Sequence, residues 1–301
     1  MTASIIEIKN LGFSYSKNNP ILKNINLNVP KGSIYGFLGP NGAGKSTTMQ
    51  LLTDILQDHE GQINMFGKAL KEQTPQIFNR IGALVESPAL YLHLTGFENL
   101  KCITSLKSID ESRIPEVLKL VGLETKSDLK AKKYSLGMKQ RLAIAMTLLG
   151  DPELLLLDEP VNGLDPSGIT EVRELLVKLN KELGLTIFIS SHLLSEIEKM
   201  CTHVGIIHQG ELKFEGTMDE LAQRSSKHHL TIQTIDAARQ LELVQEAYEN
   251  ARLISENEFQ VTLKSKEETP QFAQFSIEKQ IPLYQMKAED GLENWFLSLT
   301  K

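Results

Sequence analysis

Residues 39–47 read Gly39, Pro40, Asn41, Gly42, Ala43, Gly44, Lys45, Ser46, Thr47. The apolar line SIYGFL precedes them and KSTTMQLLTDIL, with helical spacing, overlaps and follows them. Residues of these types at this spacing suit a polyphosphate. Glycines let backbone N–H groups converge on phosphate oxygens, and a helix starting near Lys45 aims the positive end of its dipole at the same charge. Lys45 adds a point charge, and the Ser46 hydroxyl is a hard oxygen donor for Mg²⁺.

A second constellation stands where the apolar run Leu154–Leu157 ends in Asp158 and Glu159. Two adjacent acids at the end of a buried strand are costly unless they meet a cation or act on a substrate. Beside a phosphate cradle, Asp158 is read as holding Mg²⁺, directly or through water. Glu159 is read as the general base that orients and deprotonates an attacking water.

The elements that must position these groups follow from periodicity. Strand, glycine-rich loop and helix in that order are the context of a P-loop. Alternating stretches at IIEIKNLGFSY and ILKNINLNV precede it, and GQINMFG and NRIGALVE follow. Thr95 and Glu98 form a T-x-x-E capping box ahead of an apolar-periodic run, which predicts a helical segment over about 95–145. PELLLLDEP and LTIFISSH read as buried parallel strands with the helix TEVRELLVKLNKEL between them, the alternation of an α/β crossover unit. HVGIIHQGELKFEG predicts a hairpin turned at Gln209-Gly210.

The apolar pattern lapses around AQRSSKHH, which predicts a linker near 222–229. Beyond it HLTIQT, DAARQLELVQEAY, ARLIS, FQVTLK, TPQFAQFSIEKQ, IPLYQM and LENWFLSLT predict a small ferredoxin-like α+β module ending in a helix. The predicted domains are therefore 1–222 and 230–301.

Composition narrows the class. The 301 residues carry 41% hydrophobic and 23% charged side chains, which fits a globular chain and no low-complexity class. A net charge of −6 argues against a nucleic-acid partner, which is met by an excess of Lys and Arg. Cys102 and Cys201 have no metal-ligand spacing and fit a reducing compartment. The N-terminus lacks the pattern of a signal peptide, and no apolar run reaches the length of a membrane span.

With these residues in place, the chain resembles the nucleotide-binding subunits of ATP-binding cassette (ABC) transporters over about residues 5–220. The specific mark is YSLGMKQR at 134–141, ahead of LLLLDEP, where that family carries its LSGGQ-type signature. The resemblance implies a P-loop NTPase fold of the ABC ATPase kind, a mixed sheet with a helical subdomain, here with a small C-terminal α+β domain. It implies ATP and Mg²⁺ as cofactors. Tyr15 would stack on adenine, and Ser135 and Gly137 would reach the γ-phosphate of ATP on a second subunit. Asp165, in NGLD at 162–165, falls in the D-loop, and His192 would hydrogen-bond the γ-phosphate.

Two departures bear on function. Leu136 and Met138 replace a glycine and the glutamine of the signature, while the positions that touch phosphate are kept. Glu86 stands where most relatives have the Q-loop glutamine; it can hold the metal, but as a carboxylate it accepts hydrogen bonds and cannot donate.

IGALVESPALYLHLTGFENL, the signature and the C-terminal module are most similar to the branch serving bacitracin and lantibiotic export or immunity. The resemblance thus implies an ATPase subunit at the cytoplasmic face of a bacterial membrane. Its partners would be an integral membrane permease subunit and a second ABC ATPase subunit, with no nucleic acid. The rival reading is a soluble ABC ATPase acting on ribosomes or DNA. Such relatives carry two cassettes or a long coiled coil, and neither is visible here. A non-hydrolysing regulatory cassette is disfavoured by the presence of both Glu159 and His192.

Overall fold

The computed structural model describes residues 3–16, 19–86, 89–224 and 228–289, together with 296 and 299. Two compact units divide the chain, Met1–Met218 and Asp219–Lys301.

The first unit opens with β1 (Ser4–Ser16) and β2 (Asn19–Pro30), followed by β3 (Ile34–Leu38), which leads into α1 (Lys45–Leu52). Next come β4 (Glu60–Met65), β5 (Lys68–Ala69), α2 (Leu70–Gln73) and β6 (Ile81–Leu84). The helical segment holds α3 (Gly96–Lys107), α4 (Arg113–Leu120) and α5 (Leu136–Leu148). The unit continues with β7 (Leu154–Leu157), α6 (Pro166–Leu183), β8 (Thr186–Ser191), α7 (Leu194–Met200), β9 (His203–His208) and β10 (Glu211–Thr217). No helix among the described residues is long and apolar enough to cross a membrane.

Two sheets result. A six-stranded sheet runs β10-β9-β3-β8-β7-β6, parallel except for the β9–β10 hairpin. An antiparallel sheet runs β2-β1-β4-β5. The shared core includes Ile6, Phe37, Met49, Leu154, Leu156 and Phe188. Each leucine of β7 is fully buried, which is why four apolar residues in succession form a strand here: both faces of a central parallel strand are covered. The β9–β10 hairpin turns at Gln209 (φ 51°) and Gly210 (φ 78°), the two left-handed residues that a type I′ turn requires.

The capping box of α3 is complete. Glu98 N–H donates to Thr95 Oγ1 at 3.1 Å and Thr95 N–H donates to the Glu98 carboxylate at 2.7 Å. These bonds, the backbone one above all, hold the Glu98 carboxyl below its ordinary range. α6 is capped by Asp165, whose carboxylate accepts from Gly168 N–H at 3.1 Å, and it ends at Gly184 (φ 67°). Ion pairs bind this helix to two neighbours: Glu171 to Arg141 of α5 at 3.1 Å, and Arg173 to buried Glu196 of α7 at 2.9 Å.

Two expectations need correction in this unit and the next. α1 stops at Leu52 and does not run to Leu56. The Thr53 hydroxyl bonds back to the carbonyls of Met49 and Gln50, Asp54 takes φ 57°, and Ile55 and Leu56 N–H both turn to Gln50.

In the second unit α8 (Met218–Arg224) leads to β11 (His228–Gln233), α9 (Ala237–Gln245), β12 (Arg252–Ser255), β13 (Glu258–Leu263), α10 (Thr269–Glu278) and β14 (Gln285–Glu289). Its antiparallel sheet has the order β12-β13-β11-β14, the ferredoxin-like arrangement. The last strand is not IPLYQM but lies further on. Ile281 is buried in the core from the turn that ends α10, its N–H bonded to the Ser276 carbonyl. Of the helix expected over LENWFLSLT, only Phe296 and Leu299 are among the described residues, and both are helical.

Candidate active site

The sheet order decides which loops meet. β3, β8 and β7 are neighbours, so the segments leaving their carboxyl ends converge: the 39–47 loop after β3, His192 after β8, and Asp158 and Glu159 after β7. This is where open parallel α/β sheets bind ligands.

The loop needs its glycines for different reasons. A Cβ on Gly39 would lie 2.3 Å from the Ile207 carbonyl oxygen, so nothing larger fits between loop and β9. Gly44 sits at φ 109° as the N-cap of α1, directly ahead of the free N–H groups of its first turn. A cleft of about 260 Å³ opens over them, lined by Tyr15, Ile21, Asn41, Gly42, Gly44, Lys45, Ser46, Thr47 and Glu159.

Lys45 is buried, and its ammonium donates to the carbonyls of Gly39 at 2.7 Å and Pro40 at 3.2 Å. Glu159 Oε1 lies 3.2 Å from the same ammonium, and Oε2 lies 2.8 Å from His192 Nδ1. The Glu159 carboxylate therefore stands between a cation and an imidazole. Its Oε1 has the ion-pair contact but no hydrogen bond of good geometry.

Asp158 is buried beside it and accepts from the Ser190 hydroxyl. Glu159 is a non-glycine residue at φ 47°, and its N–H donates to the same Ser190 oxygen at 2.9 Å.

Tyr15 is 60% exposed, its ring perpendicular to that of Phe13 at 5.0 Å between centroids, and it lines the cleft. Its hydroxyl reaches Gln50 Oε1 at 3.4 Å, and Gln50 Nε2 donates to Glu86 at 3.2 Å. Glu86 takes φ 72° in the segment leaving β6.

Ser135, Gly137 and Asp165 do not join the Lys45 cleft of their own chain. Ser135 caps α5, its hydroxyl accepting from Met138 N–H at 3.2 Å, and Gly137 packs against the backbone of Gly168, a Cβ there meeting the Gly168 Cα at 3.5 Å. The signature and the D-loop thus form one patch, with Leu136 exposed upon it.

Ser190 and Gln50 were not singled out from the sequence. The paired serines of FISSH at the end of a buried strand were the available signal for the first, since buried hydroxyls seek partners. Cys102 and Cys201 are both free thiols, and burial pushes that of Cys201 up.

Comparison with known proteins agrees with this architecture. The ABC transporter family model matches residues 22–162. The chain is 45% identical over 248 residues to the bacitracin transport ATP-binding protein BcrA of Bacillus licheniformis, covering 82% of this chain and 80% of that one. It is 44% identical over 215 residues to the lantibiotic transport ATP-binding protein SrtF of Streptococcus pyogenes, covering 71% and 92%. Similarity to the uncharacterized ABC transporter ATP-binding protein YhcH of Bacillus subtilis extends over both units, at 36% identity, 99% of this chain and 96% of that one.

Among solved structures, cbiO1 from Clostridium perfringens, part of the ABC transporter complex cbiONQ, superposes with a TM-score of 0.66 at 30% identity, covering 74% of this chain and 94% of that one. A chain with this sheet order, this phosphate cradle and these relatives belongs to the ATP-binding, ATP-hydrolysing subunits of the ABC transporter family.

Proposed function

We propose that this subunit powers export of, or self-protection against, a peptide antibiotic of the bacitracin or lantibiotic kind. It would act through a separate integral membrane subunit and with a second cassette. The observation that carries the hydrolytic part is the Glu159 carboxylate set between Lys45 and His192 at the mouth of the glycine cradle. Similarity to BcrA and SrtF supports the peptide part.

In this reading the 39–47 loop and Lys45 hold the β- and γ-phosphates while Tyr15 stacks on adenine. Glu159 takes a proton from the attacking water as γ-phosphate leaves in line. His192, bonded to Glu159, orients that carboxylate and meets the γ-phosphate.

Among the described residues no three His, Cys, Asp or Glu side chains converge on a metal position. Mg²⁺ is satisfied by one or two protein oxygens completed by phosphate oxygens and water, and Ser46, Asp158 and Glu86 are hard donors of that type. Bound there, Mg²⁺ would neutralise charge that develops on the phosphates. Ser135, Gly137 and Asp165, grouped away from the cleft, would complete the ATP site of the opposite subunit in a head-to-tail dimer. The first unit, Met1–Met218, would be the nucleotide-binding domain expected over 1–222, and the second unit, from Asp219 on, would hold the accessory domain expected over 230–301.

The test is reconstitution in liposomes with an integral membrane subunit that co-purifies with the chain. Bacitracin or a lantibiotic should stimulate ATP hydrolysis, and Lys45→Ala should remove the stimulation. A purified pair indifferent to both peptides refutes the peptide reading. Co-sedimentation with ribosomes and with no membrane protein refutes the transport reading as well.

A further inference from the structure

We infer that Ser190 is the positioning residue that holds Asp158 and Glu159 in their working orientation. The inference rests on the reading of Glu159 as the base. In the β7–β8 register Leu157 is opposite Ile189, so the next residues, Asp158 and Ser190, continue side by side. Ser190 is fully buried and meets both acids at once: its hydroxyl donates to Asp158 and accepts from Glu159 N–H at 2.9 Å.

The direction of each bond is fixed by chemistry. A backbone N–H can only donate, so the single hydroxyl proton is left for the Asp158 carboxylate. One atom thereby sets the rotamer of one acid and the backbone of the other.

Glu159 needs that restraint. Its φ of 47° is a conformation that side-chain-bearing residues adopt when surrounding contacts over-determine it. The Asn162 N–H bonds back to its carbonyl at 3.0 Å, which closes the turn from the far side, and Ser190 holds the near side. Two residues further along the same strand end, His192 holds the Glu159 carboxylate at 2.8 Å. The end of β8 therefore grips Glu159 at both backbone and side chain. Ser190→Ala would release the backbone grip, leave the part-buried Glu159 N–H without this acceptor and free the Asp158 rotamer.

The experiment uses full-length chain with Ser190→Ala, Ser190→Thr and Glu159→Gln, and Ser190→Ala combined with Glu159→Gln. Single-turnover ATP hydrolysis, affinity for a fluorescent ATP analogue without metal and with Mg²⁺, and thermal melting are measured on each.

Ser190→Ala should lower the hydrolysis rate at least tenfold while metal-free affinity stays within twofold. The gain in affinity on adding Mg²⁺ should shrink, because Asp158 is no longer oriented. Ser190→Thr, which keeps the hydroxyl, should recover to within threefold of the parent. In the Glu159→Gln background Ser190→Ala should add less than a further twofold, since the base it positions is already gone.

The inference is overturned if Ser190→Ala turns over within twofold of the parent, or if its penalty is undiminished in the Glu159→Gln background. It is overturned equally if metal-free affinity and melting temperature fall together with the rate, or if a stably folded Ser190→Thr is as slow as Ser190→Ala. Glu159→Gln at the parental rate refutes the base itself, a separate failure.

Discussion

Replacing Glu159 by glutamine separates its proposed role as base from its role as ion-pair partner of Lys45. The side chain keeps its shape, so the 2.8 Å contact to His192 can persist as an amide–imidazole hydrogen bond. What disappears is the negative charge 3.2 Å from the Lys45 ammonium. Unit charges at that distance attract with about 5 kcal/mol at an effective dielectric of 20, and the net loss is smaller because Lys45 keeps two carbonyl acceptors. The same change makes the cradle more positive. Affinity for a nucleotide carrying several negative charges should therefore stay level or rise.

Hydrolysis has no such compensation, since an amide cannot take the proton. The rate should fall by about 10² to 10⁴, the usual contribution of a general base, which is about 3–5 kcal/mol of barrier. Phosphate release and binding of a fluorescent ATP analogue read the two quantities separately. Size-exclusion chromatography with light scattering, with and without Mg-ATP, reads the third: the variant should accumulate as a nucleotide-bound dimer. Hydrolysis at the parental rate refutes Glu159 as the base. A tenfold loss of affinity, about 1.4 kcal/mol, with hydrolysis of bound ATP unchanged, makes it a structural partner of Lys45. A variant that stays monomeric with Mg-ATP counts against dimer closure by the isolated subunit.

Further outcomes are expected. Glu86→Gln should leave basal hydrolysis within a few-fold while changing stimulation by the membrane subunit; collapse of basal hydrolysis with binding intact would place Glu86 in the chemical step. A chain ending at residue 224 should bind Mg-ATP as the full chain does, measured by titration, because the cleft is lined by residues before 160. Thr95→Ala should destabilise the first unit by about 1 kcal/mol in urea denaturation, the cost of a lost N-cap. Glu98, whose carboxyl is held low, supports α3 above its unfolded pKa and loses that support as pH falls through the lower folded value. The difference between Glu98→Gln and the parent should therefore be present at pH 7 and vanish in acid.

The α/β cassette with an appended α+β unit was legible because its signals are local. Glycine spacing at 39–44, the apolar block 154–157 and the capping box at Thr95 each lie within a few residues of chain. Their order gave the family resemblance. Partnership across the sheet was not legible: Ser190 meets Asp158 only because β8 is hydrogen-bonded beside β7 in a particular register. Gln50 likewise looks like a surface residue of α1 until its neighbours Tyr15 and Glu86 arrive from other strands. Apolar alternation also misplaced the last strand, because Ile281 fills the core of the second unit from a turn. At Leu52 the periodicity continued where the backbone did not, since side-chain bonds to the preceding turn outcompeted it.

The double ion pairing of α6 has a mechanical consequence. Its 18 residues span about 27 Å, with Asp165 at one end and Gly184 at the other. Arg141 and Glu196 grip it in its first half, two residues apart at Glu171 and Arg173. A rod held near one end is a lever with a short arm toward Asp165 and a long arm toward Gly184. A tilt of about 5° about that grip moves the Gly184 end by roughly 1.5 Å, taking the arm as about 12 residues of helix, and the Asp165 cap, about 7 residues away, by a little over half of that. In the proposed head-to-tail dimer, small adjustments at Asp165 and Gly137 would thus reach the Gly184 end of the helix enlarged. Spin labels near the two ends of α6, compared with and without Mg-ATP, would show unequal displacements if the lever operates and equal ones if the helix only translates.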